Sequence, residues 1–346
     1  AASQGVRTTA SPFYAQGLRG EILDVCYDHY GLRAAVCSSQ AIAIFEKDAA
    51  LNSDSWSLHA CWEAVSNKDE SGLHRGYLRK VCWAHAEFGQ VVASASTDGS
   101  VCIWTEAAKK IDDSATAATE SKVSSSSKPK EEEHRWGLSD SFKASRTACL
   151  DMCFAPPQYG LRLGLCFQDG YVKMYDADDI FQWSEWQLVQ EFQVGASEVC
   201  QRFCWRPFSL NMPEMILIGS TRQASVWSFE SNLGRWQQVI SLGSNGGAGA
   251  AVSDVAWASA CGKTSELIAY AAGSSVYIVQ LKDKLDQLDI KTVAECKHDS
   301  LVFQIEWNRL GTTLATSGSD GNVRLWRPDL TDEWHEMANI TNSASA

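Results

Sequence analysis

Six aromatic residues, Tyr27, Trp83, Phe154, Trp205, Trp257 and Trp307, recur along this chain mostly at about 50-residue intervals. Each closes a short alternating run such as "EILDVCY", "YLRKVCW" or "VFQIEW". A second run of small apolar residues follows, then a third that alternates up to an aromatic or aliphatic end. A fourth run carrying a Trp often comes next: "SWSLHACW", "RWGLSDSF", "EWQLVQEF", "RWQQVISL" and "EWHEMANI". Period-two alternation broken by turn residues is the mark of antiparallel strands, and no helical period fits these stretches comparably.

Four-stranded units repeated at this spacing bury both faces only by leaning on their neighbours, so the expected fold is all-β, a six-bladed β-propeller. One domain is expected over 13–340, with blades near 20–64, 76–144, 147–194, 197–242, 251–296 and 300–340. Residues 1–12 and 341–346 read as flexible tails. The interval between Trp83 and Phe154 is longer because it holds residues 107–134, which contain no aromatic and little beyond Ala to bury. That composition predicts a disordered loop inserted in blade two, whose serines are phosphorylatable. "GSNGGAGAA" (243–251) lies between blades with no helix after it, and reads as a connector rather than a phosphate cradle.

The chain has 346 residues, a formal net charge of −12 and 12 cysteines. The acidic balance argues against direct nucleic-acid or anionic-membrane binding. No apolar run reaches the roughly 18 residues of a transmembrane helix, and no signal-peptide pattern is present, so a soluble intracellular protein is expected. Cys26, Cys82, Cys153 and Cys204 each precede an anchor aromatic, a repeat position that takes a small buried side chain. The pairs Cys149/Cys153 and Cys200/Cys204 have strand spacing that would set them about 13 Å apart on one face, too far to share a metal. No CxxC occurs. Neither metal nor cofactor is expected.

Asp98-Gly99, Asp169-Gly170 and Asp320-Gly321 join the second and third strands of their blades, and Asp-Gly favours a two-residue hairpin turn with positive φ at both central positions. Two of these blades carry a His nine residues before the anchor (His74, His298) and a hydroxyl ten residues before the closing Trp (Ser94 to Trp104, Thr316 to Trp326). A His, Ser and Asp could form a hydrolytic triad, but two copies in two blades fit a structural part better. Walker A, HExxH and GxSxG motifs are absent, as is any GxGxxG opening a helix, so no enzyme is expected.

These spacings resemble the WD-repeat pattern. The resemblance implies two buried braces, His74, Ser94, Asp98 and Trp104, and His298, Thr316, Asp320 and Trp326. More specific stretches are "WAHAEFGQVVASASTDGSVCIW" (83–104), "SRTACLDMCFAPPQYGLRLGLCFQDGYVKMYDADDIFQWSEWQL" (145–188) and "HDSLVFQIEWNRLGTTLATSGSDGNVRLWRPDLTDEW" (298–334). The first is similar to blade two of both the COPII outer-coat propeller and the SEH-type nucleoporins. The others resemble the SEH-type nucleoporins, apart from blade one, where "SSQAIAIF" lacks the Asp turn.

The resemblance implies an open propeller and a non-enzymatic scaffold of the nuclear pore. It would be completed by a blade from a helical-solenoid nucleoporin in the Y-shaped outer-ring complex, and would support mRNA export and protein transport at the nuclear envelope. It also implies membership of the SEA/GATOR assembly that regulates TORC1, with a cytoplasmic or lysosomal location. A COPII-type coat subunit or other WD-repeat adaptor is the alternative. Expected edge residues are Phe13, Tyr14 and Leu18 before blade one, and Trp334, Met337 and Ile340 after blade six. A competing reading has the segment around Phe13–Leu18 pairing with blade six to close the ring.

Overall fold

The computed structural model describes residues 6–10, 18–48, 55–66, 72–107, 135–179, 183–209, 212–243, 251–259, 265–284 and 287–342. Strand β1 (Val6–Ala10) comes first. Blade one is β2 (Ile22–Tyr27), β3 (Arg33–Ser38), β4 (Ala41–Lys47) and β5 (Trp56–Glu63); blade two is β6 (Leu78–Trp83), β7 (Val91–Ser96), β8 (Ser100–Ala107) and β9 (Arg135–Lys143). Blade three is β10 (Cys149–Phe154), β11 (Arg162–Phe167), β12 (Tyr171–Asp179) and β13 (Ser184–Gln193); blade four is β14 (Cys200–Trp205), β15 (Met215–Ser220), β16 (Ala224–Glu230) and β17 (Arg235–Leu242). Blade five is β18 (Val252–Trp257), β19 (Glu266–Ala272), β20 (Ser275–Lys284) and β21 (Gln287–Lys297); blade six is β22 (Val302–Trp307), β23 (Leu314–Gly318), β24 (Val323–Pro328) and β25 (Trp334–Asn342). The protein is a six-bladed β-propeller. Helix among the described residues is limited to short 3-10 turns such as Ala86–Phe88 and Pro157–Tyr159.

Alternation explains the packing. In blades two to five one face of the sheet meets the preceding blade and the other meets the next, so both sets of alternating side chains are apolar. Five apolar cores result. Ile42 and Ile44 pack with Val81, Trp83 and Trp104 between blades one and two, and Val101 and Ile103 pack with Met152 and Leu163 between two and three. Met174 meets Phe203 and Ile216, Leu217 meets Val255 and Ile268, and Ile278 meets Ile305 and Leu314 at the next three interfaces. The inner strands follow suit, with β2 on β6, β6 on β10, β10 on β14, β14 on β18 and β18 on β22. Among the described residues no comparable packing joins β22 to β2.

Every inner strand shifts register at the same place, between Ile22 and Asp24, Leu78 and Lys80, Cys149 and Asp151, Cys200 and Arg202, Val252 and Asp254, and Val302 and Gln304. A bulge adds one residue and swaps the faces beyond it. This corrects the cysteine expectation. Cys149 faces blade two while Cys153 faces blade four, and Cys200 and Cys204 likewise lie in different cores, rather than on one face.

Two further expectations change. In the Asp-Gly hairpins only the glycines have positive φ (Gly99 80°, Gly170 80°, Gly321 72°). The turn closes one residue earlier, with Gly99 N–H donating to Ser96 O at 3.0 Å, so Thr97 and Asp98 are its central pair and Gly99 is the left-handed residue that follows. The stretch expected as an N-terminal tail contains β1, which pairs in parallel with the outer edge of β25 from Val6 opposite Ala338 to Ala10 opposite Asn342. Loop residues 108–134 and connector residues 244–250 lie outside the described residues, as do Phe13 and Tyr14.

Candidate functional site

The hydroxyl braces come first, because they decide whether the His, Ser and Asp sets do chemistry. His74 is fully buried, with Nε2 2.8 Å from Ser94 Oγ, and Trp104 Nε1 donates to the same oxygen at 2.8 Å. Asp98 makes no direct hydrogen bond to the ring, because His74 Nδ1 meets Ser100 Oγ at 2.6 Å. Asp98 instead accepts from the backbone amides of Arg75 (2.8 Å), Gly76 (3.1 Å) and Ser100 (2.6 Å), pinning the turn to the chain entering the blade. Burial pushes the His74 pKa down to about 4, so the ring is neutral at physiological pH. For Asp98, burial is outweighed by hydrogen bonds from Ser100 and Arg75 and by the Lys143 charge, and its pKa falls to about 2.

In blade six, Thr316 Oγ1 joins His298 Nε2 at 3.0 Å and accepts from Trp326 Nε1 at 2.9 Å. Asp320 again turns away, here to the Asn322 amide (3.1 Å) and Arg324 (3.3 Å). Asn322 stands where blade two has Ser100 and bonds Asp320, which leaves His298 Nδ1 without a hydrogen-bond partner among the described residues. The His, hydroxyl and Trp of each set are buried between strands, while Asp98 is half-buried and Asp320 exposed at the turn. Both sets tie each blade together and offer no open position beside a nucleophile.

A second polar system passed unnoticed in the sequence. Three residues before the anchors stand Asp24, Lys80, Asp151, Arg202, Asp254 and Gln304, and the bulges bring them together on the inner strands. Lys80 Nζ lies 3.0 Å from Asp24 and 3.3 Å from Asp151, while Arg202 Nε lies 3.6 Å from Asp254. Each aspartate also accepts an amide from the following blade: Val81 N–H to Asp24 (3.0 Å), Phe203 N–H to Asp151 (2.9 Å) and Ile305 N–H to Asp254 (2.7 Å). Burial opposes the Lys80 charge, yet Asp151 and Asp24 raise its pKa overall. Burial pushes Asp254 up to about 7 despite the Ile305 amide and Arg202. The alternating signs were the signal that could have revealed this ladder from the sequence.

The seam between blades six and one is unlike the other five interfaces. Two residues before the anchor, Val81, Met152, Phe203, Val255 and Ile305 are 1 to 6% exposed, whereas Val25 is 42% exposed. The anchor itself, Tyr27, is 56% exposed, and Ile22 and Leu23 beside it are also open. Across the seam Phe303 is exposed, and Ala315, Ser317, Val323 and Leu325 are half-buried where blade two has Ala93, Ala95, Val101 and Ile103 fully buried. The position filled by Cys or Ala in blades one to five is Glu306 in blade six. A cavity of about 620 Å³ lies where the inner strands of all six blades converge, and Leu23 and Asp24 of blade one and Phe303 and Gln304 of blade six line its part beside the seam. Farther out, the seam face of β3 and β4 is covered: Val36, Ala43 and Phe45 are buried against Leu18 and Trp56, so the open part of the blade-one wall is β2. Arg309 Nη2 and His29 Nε2 approach across the seam at 3.5 Å.

Of the expected edge residues, Leu18 therefore lies on the seam face of blade one. Trp334 does not present an edge; it packs edge-on against Trp307 at 5.7 Å, in the core between blades five and six. Met337 is exposed beside a cavity of about 560 Å³. Ile340 pairs through its backbone opposite Thr8, so the outer edge of β25 is occupied there by the chain's own β1. The chain pairs with blade six upstream of the Phe13–Leu18 segment, on the outside of the sheet rather than across the seam.

One trio of metal-type donors occurs among the described residues, Asp329, Glu333 and His335, all exposed. Asp329 Oδ1 is committed to the amides of Thr331 and Glu333, and Oδ2 to His335 at 3.2 Å, which describes an ion-paired turn. No helix among the described residues is long and apolar enough to cross a membrane.

The family model "WD domain, G-beta repeat" matches residues 73–105 and 290–327, the two braced blades. Nucleoporin SEH1 of Xenopus tropicalis is 32% identical over 332 residues, covering 90% of this chain and 83% of the relative. Nucleoporin SEH1 of Homo sapiens is 31% identical over the same shares. A chain in a crystal structure of the mitotic checkpoint complex superposes with a TM-score of 0.59 at 15% identity, over 88% of this chain and 74% of that one, a likeness of fold alone. Braced WD blades, a propeller of six sheets and identity spread along nearly the whole sequence lead to one assignment: the chain belongs to the SEH1 nucleoporins, WD-repeat propellers that are structural rather than enzymatic.

Proposed function

We propose that this chain is a scaffold subunit of the nuclear pore, and that its working surface is the seam between blades six and one. The observation that carries the reading is the contrast at equivalent positions, with Val25 open where its five counterparts are buried. The unpaired inner wall and its exposed apolar side chains suit strands supplied by a partner, which would complete both the ladder of hydrogen bonds and the core. The partner implied by the family resemblance is the helical-solenoid nucleoporin of the Y-shaped outer-ring complex. Held there, the propeller supports mRNA export and protein transport as a passive structural part. The same seam would serve the SEA/GATOR assembly at lysosome-like membranes, with a different chain seated in it.

The test is affinity purification with mass spectrometry, together with imaging of the tagged chain. Outer-ring nucleoporins and a nuclear-rim signal are expected, and Val25→Glu should remove the solenoid partner while leaving the free propeller folded, because Val25 is already open to water. Recovery of coat subunits with an ER-exit pattern and no rim would overturn the proposal.

A further inference from the structure

The two inner strands that flank the seam, β2 and β22, carry the carboxylates Asp24 and Glu306 and no lysine or arginine. Asp24 ends the axial ladder on the blade-one side, and its ion-pair partner, Lys80, is shared with Asp151. The ladder holds three carboxylates, Asp24, Asp151 and Asp254, against the two cations Lys80 and Arg202. On the blade-six side the corresponding position is the neutral Gln304. Glu306, at the blade-six position aligned with Cys26, adds a second carboxylate with no hydrogen bond or ion pair to any described residue, and it stands close enough to Cys26 to act on that thiol electrostatically. Arg79 lines the same cavity but is exposed at its mouth and makes no pair with Asp24.

Resting on the reading that a partner strand enters the seam, we infer that the strand lying against β2 carries a lysine or arginine directed at Asp24 and Gln304, with Glu306 as a further acceptor. Alternation along the ladder points to this chemistry. Each buried charge on the inner strands is flanked by an opposite one, and the missing member between Gln304 and Asp24 is a cation. An inserted strand would also displace water from Asp24, whose carboxyl pKa is already raised by burial. A carboxylate dried further without a new cation is strongly disfavoured, so an apolar or acidic residue at that position would be rejected. Selection among similar solenoid partners would then rest on one charge rather than on the apolar walls, which accept any strand of suitable shape.

The experiment uses the full chain and the solenoid nucleoporin recovered by the purification above, with affinity measured by calorimetry at two salt concentrations. Asp24→Asn keeps a side-chain oxygen for the Val81 amide and leaves Lys80 with Asp151, so the free propeller should stay folded at a somewhat lower melting temperature, which thermal unfolding of the free chain records separately from binding. It should weaken binding about tenfold to a hundredfold and flatten the salt dependence. Glu306→Gln, which breaks no bond among the described residues, should weaken binding several-fold. Asp24→Lys should abolish binding, and replacing the partner's basic residue by Asp should restore it. Full affinity in Asp24→Asn and Glu306→Gln, alongside loss in Val25→Glu, would overturn this inference and leave the docking reading standing. Failure to recover any partner sensitive to Val25→Glu would overturn both.

Discussion

Ser94→Ala in blade two tests the claim that the His, Ser and Trp sets are braces. Ser94 is fully buried, and its Oγ serves two partners at once, His74 Nε2 and Trp104 Nε1, each at 2.8 Å. Removing it leaves both nitrogens in a dry interior. His74 has one other partner, Ser100, but that hydroxyl sits on Nδ1 and cannot reach Nε2 as well. An orphaned buried polar group costs about 1–3 kcal/mol, and the vacated space is no larger than one hydroxyl, so the expected loss is about 2–4 kcal/mol. Urea unfolding followed by tryptophan fluorescence measures it, with an unchanged m-value showing that the transition is the same one. Ser57→Ala, on the exposed outer strand β5, provides the control and should stay within about 0.5 kcal/mol. Thr316→Val repeats the experiment in blade six, where Oγ1 serves His298 and Trp326. The two losses should add, because the sites share no partner. A loss below about 0.5 kcal/mol in Ser94→Ala would refute the argument, since it would mean that water reaches the site or that the ring finds another donor.

Three further outcomes are expected. Gly99 and Gly321 share the same turn and similar φ, but a Cβ on Gly99 would meet Thr147 O at 2.4 Å and Ser145 O at 2.5 Å while one on Gly321 would meet nothing. Gly321→Ala should therefore cost about 1–2 kcal/mol, and Gly99→Ala clearly more, in the same unfolding assay. Asp254, raised to about 7 from an ordinary 3.8, binds its proton more tightly folded than unfolded, so its contribution to stability is present at low pH and is lost as pH rises from about 4 through about 7. Asp254→Asn should keep the Ile305 amide bond, flatten that part of the pH profile and stabilise the protein on the order of 2 kcal/mol at pH 8; an unchanged profile would refute the assignment. His74, lowered to about 4, should show constant imidazole chemical shifts between pH 5 and 8.

The blades were legible because burial on both faces imposes the alternation and the aromatic anchors on every repeat. What was missed depends on one extra residue per inner strand. The bulge swaps faces between Cys149 and Asp151, so strand parity alone misplaced the cysteines and hid the ladder of Asp24, Lys80, Asp151, Arg202 and Asp254. How each Asp joins its brace was not legible for a related reason. Ser100 and Asn322, two residues past each Asp, compete for the same atoms, and no spacing rule foretells which bond wins. Strand β1 rests on five residues, "VRTTA", too short a run to separate a paired strand from a tail by pattern. The seam is the instructive case. Ile22, Val25 and Tyr27 have the same apolar character as their counterparts in the buried interfaces, so blade one looks closed when read by type. Only the far wall departs, with Glu306 in a Cys or Ala position and Gln304 in a charged one. A ring closed by its own blades would have to bury Glu306 against Cys26 without an ion-pair partner among the described residues, a penalty that the open seam avoids. The polarity of blade six therefore supports the proposal that a partner bringing positive charge fills this interface, and Glu306→Gln should weaken that partner's binding while leaving the free propeller folded.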